Sequence, residues 1–126
     1  MTATRSLAIA VLLVSSPALA QEPSPRDPIA AEADYKAGIA KEPKNGPCRI
    51  NYGLMLARHG RIGESVVQLQ TVLTPSEVHF NIACVYEFEH RPEMAKIEYR
   101  EALALDPNFK DAKEKLSSLG DLMQEE

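Results

Sequence analysis

Three histidines, two cysteines and a few clustered carboxylates are the residues of this 126-residue chain that could do chemistry. His59, His79 and His90 fall at helix ends or in turns, and no two of them stand four apart, as paired ligands on one helix face would. Two cysteines are too few for a thiolate-only zinc site or a disulfide framework. The chain has no G-x-S-x-G turn, no glycine-rich phosphate loop and no Cys–His dyad with an orienting group. Glu98, Glu101 and Asp106 stand among Lys96 and Arg100, which reads as a solvated helix back laced with ion pairs. The expectation is a protein without catalysis, cofactor or metal. A net charge of −4 also argues against a nucleic-acid partner, whose phosphates call for a basic stripe.

The elements that position these residues come in three parts. Residues 1–20 carry Arg5, then the apolar run Leu7-Ala8-Ile9-Ala10-Val11-Leu12-Leu13-Val14, then Ala18-Leu19-Ala20. That run is too short to cross a bilayer and has a signal peptide's layout with a small-residue cleavage site. The mature protein is therefore expected to be exported, periplasmic or secreted, and to keep no membrane span. Residues 21–27 are polar and proline-rich, a short extended linker. Residues 28–123 are the expected folded domain, and an apolar fraction of 44% suits a globular chain.

That domain repeats itself. Tyr35 and Tyr99, Pro43 and Pro107, Pro28 and Pro92, and Ala31 and Ala95 are each 64 residues apart. A third, weaker copy lies between: Tyr52-Gly53, Leu56, Ser65 and Leu69 mirror Ile82-Ala83, Tyr86, Ala95 and Tyr99, thirty residues on. About one helical turn is missing near Leu73-Thr74, which shortens the middle unit's second helix. Small residues (Gly53, Ala83, Ser65, Ala95) recur where two antiparallel helices must approach. Tyr52, Met55, Leu56 and then Ile82, Val85, Tyr86 supply large apolar side chains at helical spacing.

Local punctuation marks the helix ends. Asp27-Pro28 opens a first helix that ends before Pro43. A second runs from about Pro47 to His59, stopped by Gly60 in a left-handed conformation. A third covers about Ile62 to Leu73. Thr74-Pro75-Ser76-Glu77 is a capping box that opens a fourth, ending near His90, which stands where Gly60 stood and is expected at positive φ. A fifth runs from Pro92 to Leu105. A sixth runs from Asn108 to about Met123, polar on one side with Leu116, Leu119 and Leu122 on the other, as a terminal cap needs.

His79-x2-Ile82-Ala83-x2-Tyr86, then Ala95-x3-Tyr99, then Pro107, resembles the tetratricopeptide repeat signature, with His for Trp and Ala for Gly. Asn51 and Asn81 stand where that family commonly carries Asn. The resemblance implies an all-α, right-handed solenoid of antiparallel helix pairs, about two full repeats with flanking half-repeats. It also implies that the first helix of each pair lines a concave groove. By register, Ile50, Asn51, Leu54 and Arg58 from one unit, and Phe80, Asn81, Cys84, Glu87 and Phe88 from the next, would face it. Such a groove would hold a peptide segment or helix of another envelope protein through apolar anchors and backbone hydrogen bonds. Family members that clamp a terminal carboxylate do so with several Lys and Arg, whereas Arg58 is the one basic residue of this set. The alternative is a self-associating structural subunit, using a first helix that resembles a second helix without its partner. Cys48 and Cys84 are expected as unpaired thiols. An axial offset of about 9 Å added to about 9 Å between neighbouring axes exceeds the roughly 7 Å Cα limit of a disulfide.

Overall fold

A computed structural model describes residues 27–120, and all of their regular structure is helical, in six helices. The expected signal peptide and most of the linker lie outside the described residues, as does Leu122 of the expected terminal stripe. The described residues belong to two compact units that divide between Val72 and Leu73.

The first unit holds α1 (Pro28–Lys41), α2 (Gly46–Arg58) and α3 (Ile62–Leu69). Asp27 caps α1 by accepting the Ile29 N–H at 3.1 Å, with Pro28 in the first turn. Asn45 caps α2 in the same way, taking the Cys48 N–H at 3.0 Å. At the far end Gly60 has φ +76°, and Arg61 N–H reaches back to the Leu56 carbonyl at 2.9 Å while Gly60 N–H reaches that of Ala57. Those paired back-bonds close a helix and turn the chain sharply into α3.

α3 stops at Leu69, four residues earlier than the apolar spacing implies. Pro75 disfavours a helical residue before it and Thr74 is extended (φ −68°, ψ 159°), which keeps α3 from running on into the next helix. The chain leaves through a turn in which Thr71 Oγ donates back to the Val67 carbonyl and Val72 N–H to that of Leu69.

The core of this unit is the α2–α3 seam: Tyr52, Gly53, Leu56 and Ala57 against Ser65 and Leu69. A Cβ placed on Gly53 would lie 2.7 Å from the Leu69 side chain, so the seam's width is set by the absence of one methyl group. α1, by contrast, contributes no buried residue, and Ile29 is 78% exposed. Half-buried Ala31, Tyr35, Gly38 and Ile39 and a set of polar bonds hold it. Glu32 accepts from Arg61 (2.8 and 3.2 Å), Tyr52 (2.9 Å) and Lys36 (2.9 Å), and the Tyr35 ring stacks on that of Tyr52 with centroids 5.7 Å apart.

The second unit holds α4 (Pro75–Phe88), α5 (Pro92–Leu105) and α6 (Lys110–Ser118). The capping box forms in full: Thr74 Oγ accepts the Glu77 N–H, and the Glu77 carboxylate accepts the Thr74 N–H at 2.8 Å. His90 takes φ +59°, and Arg91 N–H bonds the Tyr86 carbonyl at 2.8 Å, the turn of Gly60 repeated thirty residues on. Ala83, Ala95, Tyr99 and Ala102 are fully buried between α4 and α5. Ser76 Oγ donates to the Ala102 carbonyl at 2.9 Å and joins the open end of that pair. α6 begins two residues later than the sequence pattern implies, because Asp106 accepts the Asn108 N–H in a tight turn and Phe109 is still extended. Ala112 and Leu116 pack inward from it while Lys113 and Glu114 face solvent.

Gly53→Ala is expected to cost about 1–3 kcal/mol, the usual effect of overpacking a closed seam. Gly63→Ala, where an added methyl meets nothing, is expected to be neutral or slightly stabilising. Urea denaturation followed by circular dichroism measures both.

Candidate functional site

α4 carries most of the residues singled out from sequence, and nine of its fourteen side chains are buried. It can be so enclosed because α5 covers one of its faces and α6 another. Phe80 lies between Tyr99 of α5 (centroids 5.6 Å apart) and Phe109 at the start of α6 (4.8 Å). One turn on, Cys84 Sγ is 3.4 Å from the Tyr99 hydroxyl, both fully buried. Burial pushes the Cys84 thiol up to about 12 and raises the Tyr99 phenol as well, so neither ionises near neutral pH. This thiol packs as a small apolar group and has no nucleophilic form to offer. One further turn on, Glu87 pairs with Lys115 of α6 at 2.7 Å, both side chains largely shielded. Phe80, Cys84 and Glu87 therefore form a stripe that faces α6 and α5 within their own unit.

Asn81 sits beside that stripe at 2% exposure. Its amide nitrogen donates to the Glu77 carbonyl at 2.7 Å, while its Oδ1 is buried and accepts from no group among the described residues. Phe88, at the end of α4, is 45% exposed. On α2 the corresponding residues divide similarly. Ile50 is buried, Asn51 and Leu54 are half-buried, and Arg58 is exposed. Of the nine groove candidates, four are thus core side chains and five reach the surface in some measure.

The histidines act as local pins. His79 Nδ1 lies 2.7 Å from Glu98 Oε2 and joins α4 to α5, and His59 Nδ1 lies 2.8 Å from the Met55 carbonyl. Glu98 therefore belongs to this inter-helix pair rather than to the solvated back of α5, where Lys96 bonds Glu93 instead. Among the described residues no three His, Cys, Asp or Glu side chains converge on a metal-sized space, and no helix is long and apolar enough to cross a membrane. Cys48 and Cys84 are both unpaired: Cys48 Sγ is 3.5 Å from the Tyr35 carbonyl, and Cys84 meets Tyr99.

Two clusters lay beyond the sequence reading. Phe109, which covers Phe80, had a visible signal, since Phe109, Ala112 and Leu116 follow helical spacing straight after Asp106-Pro107. The Glu32–Arg61–Glu64 cluster had none, because Arg61 joins residues from two different helices across the chain.

A family model described as tetratricopeptide repeat matches residues 76–109, the span from the first turn of α4 to the residue before α6. No curated protein and no solved structure matches the chain. Repeats of this family generally mediate protein–protein interactions. The signature residues, the buried small side chains of the α4–α5 seam and the family match coincide on one helix pair, and the chain is thus a protein that carries a tetratricopeptide repeat at residues 76–109.

Proposed function

We propose that this protein is a non-enzymatic interaction module that holds a peptide segment or helix of another protein. The observation that carries this reading is the match of residues 76–109 to a tetratricopeptide repeat, whose helix pair α4–α5 closes on buried small residues. Asn51 and Leu54 on α2, with Arg58 a turn beyond, add a mixed polar and apolar strip of the kind extended peptides use. In this role Ile50, Phe80, Asn81 and Cys84 hold their helices rigid from beneath, Glu87 is taken up by its pair with Lys115, and Phe88 stands exposed at the end of α4. The family's general role in protein interactions supports the same conclusion. We also propose that the chain works after export, on the signal-peptide pattern of residues 1–20.

Selection of a displayed peptide library on the full chain tests the reading. Binders are expected, and Leu54→Asp, at a half-buried position, should weaken them about tenfold with helicity intact. Phe80→Asp is not informative, since it would place a charge in the core. Failure to select any binder, or binders indifferent to Leu54→Asp, would refute the proposal. N-terminal sequencing of protein recovered outside the cytoplasm is expected to start at Gln21.

A second reading is favoured by the exposure of Ile29 on a helix with no buried residue: α1 docks on another copy and the assembly is structural. Light scattering across a concentration series separates the two, the interaction module being expected to remain monomeric.

A further inference from the structure

Helix α1 is attached to its unit in an unusual way. An ordinary amphipathic helix is held by the apolar side chains it buries, but α1 buries none completely. The α2–α3 pair closes its own seam with Gly53, Leu56, Ser65 and Leu69, none of them from α1. α1 lays a half-buried stripe of Ala31, Tyr35, Gly38 and Ile39 toward its unit, and the Glu32 carboxylate in the same stripe ties it to both α2 and the Arg61 turn. Arg61, in the turn between α2 and α3, reaches that carboxylate with two N–H groups, and the Tyr52 hydroxyl on α2 adds a third bond. Lys36 on α1 itself completes the cage, and Glu64 holds the other side of Arg61 at 2.6 and 2.7 Å. Beneath the helix lies Cys48. Its Sγ sits against the bare backbone of Gly38, 3.1 Å from where a Cβ would be, and near the Tyr35 carbonyl.

We propose that α1 is a removable strap: the Glu32 clamp holds it over Cys48 and Tyr52, and loss of the clamp lets α1 lift away while the α2–α3 pair stays folded. The strap thereby controls access to one wall of α2. Hydrogen bonds from Arg61, Lys36 and Tyr52 hold the Glu32 carboxyl down at about 2, so the clamp stays charged at ordinary pH and ionic strength is the condition that loosens it. Partial burial also raises the Cys48 thiol, which keeps it unreactive while the strap is closed.

The two cysteines provide the test, because each reports on a different event. Alkylation of the full chain at fixed, mildly alkaline pH, with labelled peptides read by mass spectrometry, gives the rate at Cys48 and at Cys84 separately. Raising salt from about 20 mM to about 1 M, where the screening length falls to about 3 Å, is expected to accelerate Cys48 labelling in the wild type. Glu32→Gln is expected to accelerate it about tenfold even at low salt, as befits the loss of charge-assisted bonds. Glu64→Gln, which leaves Glu32 in place, should keep the wild-type rate, and Cys84 should stay protected throughout. Equal Cys48 rates in wild type and Glu32→Gln would overturn the proposal, and so would Cys84 labelling in step with Cys48, which signals unfolding of the whole chain. Should Glu32→Gln fail to fold, the wild-type salt series decides, and a Cys48 rate indifferent to salt overturns the proposal by itself.

Discussion

Two helices can share a core only as closely as the residues on their contact line permit, and this constraint organises both units. At the α2–α3 seam the contact line carries Gly53 and Ser65, and at the α4–α5 seam it carries Ala83, Ala95 and Ala102. Close approach lets the flanking large side chains, Leu56 and Leu69 in one case and Ile82, Tyr86 and Tyr99 in the other, bury almost completely. A pair so built remains thin. Each unit adds a third helix, but the two additions differ in kind. α6 brings Phe109, Ala112 and Leu116 into an apolar core, whereas α1 brings a carboxylate and a stacked tyrosine.

Much of this was legible from the residues alone, and the legible parts share a cause. Helix ends are written locally, in one or two residues whose backbone preferences leave little choice. The Thr74–Glu77 capping box, the left-handed turns at Gly60 and His90, and the span Pro92–Leu105 all have that character. The bounds that shifted are the end of α3, at Leu69 rather than Leu73, and both ends of α6, which the Asp106 turn delays and which stops at Ser118, ahead of Gly120 at φ +84°, rather than near Met123. The six-helix count followed from the same punctuation, and the recurrences at 64 and thirty residues set those helices in pairs.

The candidate site was less legible, for a different reason. Periodicity shows that Phe80, Cys84 and Glu87 share a face of their helix, but it does not say which neighbour that face meets. Tertiary packing settles that: Phe109 and Lys115, more than twenty residues away in sequence, come to lie against it. Asn81 shows the same limit from the other side. Its position in the signature is visible in one dimension, whereas the fate of its two amide atoms, one bonded to Glu77 and one left over, belongs to three. Repeat proteins sharpen this difficulty, because the same spacing serves both the inner packing surface and the outer recognition surface.

The bond from the Ser76 hydroxyl to the Ala102 carbonyl closes the open end of the α4–α5 pair on main chain. With the His90 turn at one end and this bond at the other, the pair is stitched at both margins, so neither helix can fray without tearing the other. α2 and α3 are joined at both margins too, by the Gly60 turn at one and by Arg49 donating to Gln68 Oε1 at 2.8 Å at the other. That second tie is half-buried and runs between two long side chains, whereas the Ser76 bond is buried and anchored on main chain. Each hairpin is thus hemmed at its mouth, one with a loose thread and one with a short stitch.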